Sequence, residues 1–367
     1  MRGTIITKTS VKDFNGALFQ PFVISRGSST SLANLLLTVK LADGTCGYGE
    51  AAAASYAGET REKTSRNLEK TAQWLEGKDV ADYTGLFFEL EQRLETNRSA
   101  LACVEIALLD ALGKTLGIPF WKFFGRKLSP IKTDITVVIG TAAQAEEFTL
   151  RMLKKGLNAF KIKIGVDYDE DFKRITIVKK AAPKSRIYLD ANCAYDADTG
   201  LKFFKKIFSA GIIPQVIEQP VEKEDYDGLK FLTKKLSVPV CADESAYSVD
   251  DAVKILKNGY ASAINIKLMK LGILRAREIY FLAKSKNVKL MMGEMLESEI
   301  SSLAAAHFAG GLGDFDFIDL DTPLFIKDRL TKGWNGLCLD GTYNLSAIKQ
   351  GLGVSPASAK ATASYPA

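Results

Sequence analysis

The chain is poor in histidine: its 367 residues include only His307. A Ser-His-Asp or Cys-His site needs histidine as its base, and zinc sites commonly draw on several histidines. His307 lies in the Ala-rich stretch SSLAAAHFAG (301–310), which is typical of a buried helix, so we expect it to pack rather than react. Acid–base chemistry in this chain must therefore come from Lys, Asp, Glu, Tyr or Cys.

Cysteine pairs, long apolar runs and a large excess of one charge are also missing. The five cysteines are far apart and form no CxxC pair, which predicts reduced thiols and a cytoplasmic protein. We expect no membrane partner, because no apolar run is long enough to span a bilayer and no N-terminal stretch resembles a signal peptide. With 49 Lys and Arg against 43 Asp and Glu, the net charge of +6 is too dilute to predict nucleic-acid binding.

Residues 1–126 have the pattern of a small α+β unit. Residues 33–42 (ANLLLTVKLA) and 45–50 (TCGYGE) are typical of strands, and the Asp-Gly pair between them is a strong hairpin turn. From about residue 60 the apolar residues return at helical spacing, until the Gly-Ile-Pro at 117–119 ends the pattern. We therefore expect a hairpin sheet followed by helices.

From about residue 132 short apolar strands alternate with amphipathic helices. Eight strands and seven helices in alternation predict a parallel (β/α) barrel, with a doubly wound open sheet as the alternative. The chain has no GxGxxG motif after the first of these strands and no phosphate loop, which weakens the nucleotide-binding version of the open sheet. The predicted strands are residues 133–139, 159–164, 187–191, 216–219, 238–242, 263–268, 289–293 and 317–321.

The predicted barrel spans residues 127–324, and two shorter segments follow it. Residues 325–353 contain strand-like pieces and Gly-rich turns, and we expect them to pack back on the first unit. Residues 354–367 are rich in Ala, Ser and Pro with little to bury, which predicts a flexible tail.

Charged residues recur at the ends of the predicted barrel strands. They follow one another at intervals of about 25 residues, which is the length of one strand–helix unit in such a barrel. Each therefore falls at a similar height near the carboxyl-terminal mouth, where barrel active sites lie. The residues are Lys163, Asp190, Glu218, Asp243, Lys267, Glu294 and Asp319.

Three of these positions predict a magnesium site. Asp190, Glu218 and Asp243 come from consecutive strands, and a set of carboxylates without His or Cys suits Mg²⁺ better than zinc. Lys163 and Lys267 come from the second and sixth strands and flank that site from opposite sides, as an acid and a base on a bound carboxylate. We expect the neighbouring ammonium of Lys161 and the metal to lower the pKa of one lysine so that it acts as a neutral base.

Five motifs together carry a resemblance to a known family. They are KIKIG (161–165), LDAN (189–192), EQP (218–220), ADES (242–245) and NIKLMKLG (265–272). With them the chain resembles the enolase superfamily, in its muconate lactonizing subgroup, over residues 1–353. The stretch 100–125 is similar to that family's capping-domain signature. The resemblance implies an α/β fold: a modified TIM barrel, (β/α)7β, with an α+β capping domain whose loops close over the site.

The resemblance also implies residue roles. It makes Asp190, Glu218 and Asp243 the ligands of one Mg²⁺ per subunit, and Lys163 and Lys267 the acid–base pair. Lys161 then assists near the substrate carboxylate. The mandelate racemase subgroup uses a His-Asp pair instead, and the single, misplaced histidine of this chain excludes it.

The eighth strand points to one branch of the subgroup. FIDLDTP (317–323) resembles the DxD motif of dipeptide epimerases, in which Asp319 and Asp321 bind the free α-ammonium of the dipeptide. Arg26, in VISRGSS, matches a position where Ala-Glu epimerases carry an Arg for the side-chain carboxylate. Tyr56, on the other covering loop, is expected to line the pocket.

Glu294 departs from the family pattern, because relatives usually have a small residue there. It either repels a glutamate side chain, attracts a cationic one, or pairs with Arg26 or a lysine. The best expectation is an epimerase of L-Ala-D/L-Glu, with positively charged and other dipeptides left open.

Three other functions remain open. An o-succinylbenzoate synthase or a cycloisomerase would use the same metal and lysines, but its substrate has no ammonium for Asp319 and Asp321 to bind. A non-catalytic metal-binding scaffold would leave two buried amines without a use. A Schiff-base aldolase barrel also uses lysine but needs no metal-ligating carboxylates. The family further implies a homo-oligomer.

Overall fold

The protein is described here by a computed structural model that covers residues 2–53, 58–333 and 336–357. The strands are β1 Ile6–Ile24, β2 Gly27–Leu41, β3 Cys46–Ala51, β4 Ile131–Lys132, β5 Ile135–Val137, β6 Ala159–Lys163, β7 Arg186–Asp190, β8 Val216–Glu218, β9 Val240–Ala242, β10 Ala263–Ile266, β11 Lys289–Met292, β12 Phe317–Ile318, β13 Thr331–Gly333, β14 Thr342–Tyr343 and β15 Val354–Pro356. The helices are α1 Arg61–Leu75, α2 Tyr83–Arg93, α3 Arg98–Leu116, α4 Ala142–Lys154, α5 Tyr168–Ala181, α6 Ala197–Ser209, α7 Tyr226–Lys235, α8 Val249–Asn258, α9 Leu268–Ser285 and α10 Glu299–Leu312.

The N-terminal unit is an antiparallel sheet of β1, β2 and β3 with helices packed on one face. The predicted hairpin is confirmed, with Gly44 at φ 88° in the turn where a left-handed residue is needed. The two glycines of TCGYGE let α3 lie against β3, since a Cβ at Gly49 would be 1.9 Å from the carbonyl oxygen of Cys103. The close contact between the helix and the strand leaves no room for a side chain, which explains the glycine at this position.

The second unit is a parallel sheet in which β5 to β12 follow one another in chain order. Helices α4 to α10 form the seven connections. The amide of Asp134, just before β5, donates to the carbonyl of Ile318 at the end of β12 (3.1 Å), which links the first and last strands. The predicted (β/α)7β barrel is therefore confirmed, and the open doubly wound sheet is wrong because the strand order never reverses.

Helix α10 explains the Ala-rich stretch around the single histidine. It lies between the barrel and the N-terminal unit, and nearly all of its side chains are buried. His307 is fully buried, with its ring 5.8 Å from that of Phe120 and Nε2 3.4 Å from the carbonyl oxygen of Leu352. Burial lowers the pKa of His307 to about 3, so the ring is neutral.

The chain after the barrel returns to β1. The amide of Lys327 donates to the carbonyl of Ala17 (2.8 Å), and the carboxylate of Asp328 accepts from the Ala17 amide (2.7 Å). The tail predicted from residue 354 is wrong for its first residues, because β15 pairs with β13. Residues 358–367 lie outside the described residues.

Two further observations concern the helices and the cysteines. Among the residues that the structure describes, none of the helices combines the length and apolar character needed to cross a membrane. The five cysteines are free thiols.

Candidate active site

A cavity of about 390 Å³ opens at the carboxyl ends of the barrel strands, beneath the tips of β1 and β2. It brings together most of the predicted site residues. Those that line it are Arg26, Lys161, Lys163, Asp243, Lys267, Glu294, Asp319 and Asp321. Tyr56 lies outside the described residues.

Parallel strand register places the charged groups side by side. Lys163 in β6 is the Cα partner of Asp190 in β7, and Asp190 is the partner of Glu218 in β8. Asp243 and Lys267 directly follow β9 and β10. The regular spacing seen in the sequence therefore becomes a row of charges along one rim of the barrel.

Lys161 is almost completely buried and touches three carboxylates. Its Nζ lies 3.1 Å from Oδ2 of Asp190, 2.7 Å from Oε2 of Glu218 and 2.5 Å from Oδ2 of Asp319. Burial lowers the pKa of Lys161, but these carboxylates outweigh burial and raise that pKa well above its ordinary value. Lys161 donates a hydrogen bond to Asp319 and forms ion pairs with the other two carboxylates, so it stays charged.

The remaining lysines pair with the two aspartates of the predicted metal site. Lys163 Nζ lies 2.5 Å from Oδ2 of Asp190, and Lys267 Nζ lies 2.8 Å from Oδ2 of Asp243. Burial raises the pKa of both aspartates, yet the neighbouring lysines outweigh burial and hold each pKa well below its usual range. Burial, followed by the charge of Asp190, raises the pKa of Glu218 to about 7.

The expected lowering of a lysine pKa is opposed at Lys267. Burial and the charge of Lys161 both lower the pKa of Lys267. Asp243 and Glu218 face the same ammonium and raise its pKa above the ordinary value. The carboxylates therefore decide the sign, and Oδ2 of Asp243 lies only 2.8 Å from the Lys267 ammonium.

Lys270 is a buried residue of the site that sequence reasoning missed. Its Nζ donates to Oδ1 of Asp243 (2.7 Å), to the Asp243 carbonyl (2.8 Å) and to the Asn265 carbonyl (2.9 Å). The side chain of Asn265 in turn donates to Oε1 of Glu218 (2.6 Å). Both residues lie in the NIKLMKLG motif, but spacing alone does not reveal that Lys270 points back under the strand ends.

The DxD segment after β12 forms a second acidic cluster. Oδ2 of Asp321 accepts from the Thr136 amide, and burial, followed by the charge of Asp319, raises the pKa of Asp321 to about 7. Asp134, which sequence reasoning also missed, lies against both aspartates. Among the described residues, these are the one trio of His, Cys, Asp or Glu whose ligand atoms lie within 4.8 Å of one another.

Glu294 lines the cavity but is held by protein groups. Its Oε1 accepts from the Thr322 amide (2.7 Å), and its Oε2 accepts from the Ser302 hydroxyl. A pairing with Arg26 or a lysine, one of the three alternatives that the sequence left open, is absent among the described residues. Burial, followed by the charge of Glu297, raises the pKa of Glu294 well above its ordinary value.

Arg26 lies at the rim of the cavity. Its Nε donates to the Asn192 carbonyl (3.1 Å), and one terminal nitrogen lies 3.4 Å from Oε2 of Glu222. The Glu222 side chain is 67% exposed, so this pair is weak and leaves the guanidinium available to a ligand.

Comparisons with known proteins cover both units. The family described as "Mandelate racemase / muconate lactonizing enzyme, N-terminal domain" matches residues 6–125, and "Enolase C-terminal domain-like" matches residues 141–360. A hydrophobic dipeptide epimerase from Citrifermentans bemidjiense is 41% identical over 350 residues, which cover 92% of this chain and 94% of that relative.

Solved structures agree with the fold. A substrate-liganded L-Ala-D/L-Glu epimerase from Bacillus subtilis has a TM-score of 0.91 at 29% identity, covering 96% of this chain and 99% of that chain. A dipeptide epimerase from Enterococcus faecalis, complexed with Mg and L-Leu-L-Tyr, has a TM-score of 0.88 at 27% identity with the same coverage of both chains. This chain therefore belongs to the enolase superfamily, within the mandelate racemase and muconate lactonizing enzyme family.

Proposed function

We propose that the protein is a Mg²⁺-dependent dipeptide epimerase that inverts the α-carbon of the C-terminal residue of a dipeptide. One observation carries the proposal: Lys163 and Lys267 face one cavity from opposite sides of the barrel. Their strands, β6 and β10, are separated by β7, β8 and β9. A bound α-carbon between two amines can lose a proton from one face and regain it on the other.

The donor set fits a magnesium ion. Asp190, Glu218 and Asp243 offer only oxygen atoms, which Mg²⁺ prefers. Oε2 of Glu218 is buried 2.7 Å from Nζ of Lys161 but accepts no hydrogen bond of good geometry from the described residues, so it retains lone pairs for a metal ion. When bound there, Mg²⁺ supplies Lewis-acid stabilisation of negative charge on the substrate carboxylate.

The three lysines would transfer the protons and stabilise the negative charge. In one direction Lys163 removes the α-proton while Lys267 donates one to the opposite face, and in the reverse direction the roles exchange. Lys161, kept charged by its carboxylate partners, attracts the negative charge that develops on the substrate carboxylate.

The acidic cluster separates this function from its closest alternatives. Asp319 and Asp321 place negative charge at the end of the cavity, which suits the free ammonium of a dipeptide. Substrates of an o-succinylbenzoate synthase or a cycloisomerase carry no such cation, so these carboxylates would face them without compensation.

Two side-chain preferences have support. Arg26 at the rim supports L-Ala-D/L-Glu, the expectation from the sequence. An apolar residue is favoured by Phe22, Ile24, Met295 and Leu296, which line the same cavity. The hydrophobic dipeptide epimerase among the relatives agrees with the apolar alternative.

Deuterium exchange tests the function directly. The Mg²⁺-loaded enzyme is incubated in D₂O with L-Ala-L-Glu, L-Leu-L-Tyr and Lys-containing dipeptides, and mass shifts are read. We expect one deuterium in selected dipeptides, and their ranking reports the side-chain preference. If no dipeptide incorporates deuterium although Mg²⁺ is shown to bind, the result would favour a cycloisomerase-type substrate instead. A cytoplasmic location and a homo-oligomer are further predictions, which fractionation and light scattering would test.

A further inference from the structure

Asp134 has a buried carboxyl group that lies against the carboxyl group of Asp319. The residue is 1% exposed, and neither carboxyl oxygen accepts a hydrogen bond from any described residue. Buried carboxyl groups almost always have donors, because losing water without compensation is costly. The group therefore indicates a missing cation or donor at this point.

The geometry of the acidic cluster fits a single cation. One oxygen each from Asp134, Asp319 and Asp321 lies within 4.8 Å of the others. Three points so spaced can all lie about 2.8 Å from one nitrogen, which is the length of a charged hydrogen bond. Asp319 and Asp321 line the cavity, so a ligand group reaches the cluster from the side where substrate enters.

Lys161 does not supply the missing cation. Its ammonium forms ion pairs with Asp190, Glu218 and Asp319, and it forms none with Asp134. Burial, and then the charges of Asp319 and Asp321, raises the pKa of Asp134 well above its ordinary value, and Lys161 only partly opposes this. A further positive group at the cluster would relieve the repulsion.

We propose that Asp134 is a third carboxylate of the site that binds the N-terminal ammonium of the substrate. With Asp319 and Asp321 it offers three acceptors to the three N–H donors of a primary ammonium. The inference rests on the proposed function, since it assigns a residue to the same dipeptide. A primary ammonium fits better than a metal ion, because Mg²⁺ keeps several waters and this cluster is almost closed to solvent.

The variant Asp134→Asn tests this role because it keeps the size and removes the charge. For a dipeptide with a free amine we expect KM to rise about 10-fold to 100-fold, the loss of one charged hydrogen bond, with kcat changed little. The control substrate is the analogue of an alanyl dipeptide in which propionyl replaces alanyl, so that the amine is missing. For this analogue we expect the variant and the wild type to have the same KM. Asp316→Asn, at the opposite end of the barrel, is the matched control and should change neither value.

Two results would overturn the inference while leaving the epimerase intact. One is an unchanged KM for the free-amine dipeptide in a folded Asp134→Asn protein, which would make Asp134 a packing residue. The other is a Mg²⁺ stoichiometry of two per chain that falls to one in the variant, which would make the cluster a second metal site. If the wild type exchanges no α-proton in any dipeptide, the proposed function fails instead.

A structure of the wild type with Mg²⁺ and dipeptide decides the question even if the variant does not fold. We expect the amino nitrogen within about 3.2 Å of an Asp134 oxygen, the limit of an N–H···O hydrogen bond. An amino nitrogen bound only by Asp319 and Asp321 would contradict the proposal.

Discussion

Nζ of Lys163 lies 2.5 Å from Oδ2 of Asp190, its register partner on the neighbouring strand. A proposed catalytic base and a proposed metal ligand are thus in direct contact. Because Nζ of Lys163 contacts a carboxylate oxygen of Asp190, binding of a cation at Asp190 and proton transfer at Lys163 are physically coupled.

Replacing either proposed catalytic lysine should stop epimerisation. We expect Lys163→Met and Lys267→Met each to lower the epimerisation rate by about 10²-fold to 10⁴-fold, the usual contribution of a general acid or base. Each variant should still exchange deuterium into one epimer only, because one amine remains on one face. NMR of both epimers in D₂O measures this, with the exposed Lys173→Met as control. Wild-type epimerisation in both variants would refute the two-lysine mechanism.

Removing the metal should stop exchange reversibly. We expect EDTA to abolish α-proton exchange and added Mg²⁺ to restore it, because the ion stabilises the charge formed on the substrate carboxylate. Asp190→Asn and Glu218→Gln should weaken Mg²⁺ binding in calorimetry by at least about 10-fold each. Asp169→Asn, an exposed carboxylate away from the cavity, is the control. Undiminished Mg²⁺ affinity in both site variants would place the ion elsewhere.

Arg26 should affect acidic substrates selectively. If the enzyme takes L-Ala-L-Glu, we expect Arg26→Ala to raise KM for that dipeptide about 10-fold, the loss of one charged contact. Turnover of L-Leu-L-Tyr should change less than twofold, because an apolar side chain makes no use of the guanidinium. Steady-state kinetics with both dipeptides measures the difference. Equal effects on the two dipeptides would show that Arg26 maintains the loop conformation and does not bind the substrate carboxylate.

Lys270 should matter for stability as well as for the metal. We expect Lys270→Met to lower the free energy of unfolding by about 3 kcal/mol, because it leaves the buried Asp243 without one partner. Mg²⁺ affinity should also fall, since Asp243 and, through Asn265, Glu218 lose their support. Chemical denaturation and calorimetry measure the two effects. Lys270→Arg, which keeps the charge, should retain more of both, and equal losses in Arg and Met variants would argue for packing alone.

The single histidine gives a measurable pH dependence of stability. Its pKa is about 3 in the folded protein against 6.5 as the ordinary value, so the unfolded chain binds a proton more readily between these limits. The contribution of His307 is therefore complete above pH 6.5 and falls by about 1.4 kcal/mol per pH unit as pH drops towards 3. We expect His307→Gln to remove this component.

Comparing the two proteins isolates the histidine. Burial raises the pKa of Glu50 and of Glu297, the latter to about 8, so these carboxyl groups favour the folded state as pH falls. They are present in both proteins and cancel in the difference. Equal slopes of unfolding free energy against pH in the two proteins would show that His307 does not titrate on unfolding.

The fold was largely predictable from local patterns. Alternating short apolar strands and amphipathic helices specify a parallel barrel because each connection must cross over one face of the sheet. The hairpin of the first unit followed from a single Asp-Gly turn. The strand at residues 354–356 was not predicted, because the local sequence there does not indicate that it pairs with β13.

The sequence by itself determined which charged residues meet at the barrel mouth, because the strand–helix interval places each at the same height. Only the tertiary structure decided what each side chain contacts. Asp134 meets Asp319 and Asp321 across the junction of the first and last strands, about half the chain apart in sequence. Glu294 is held by Ser302 and by the Thr322 amide. Such contacts depend on side-chain direction and on the closure of the barrel, and neither leaves a periodic signal along the chain.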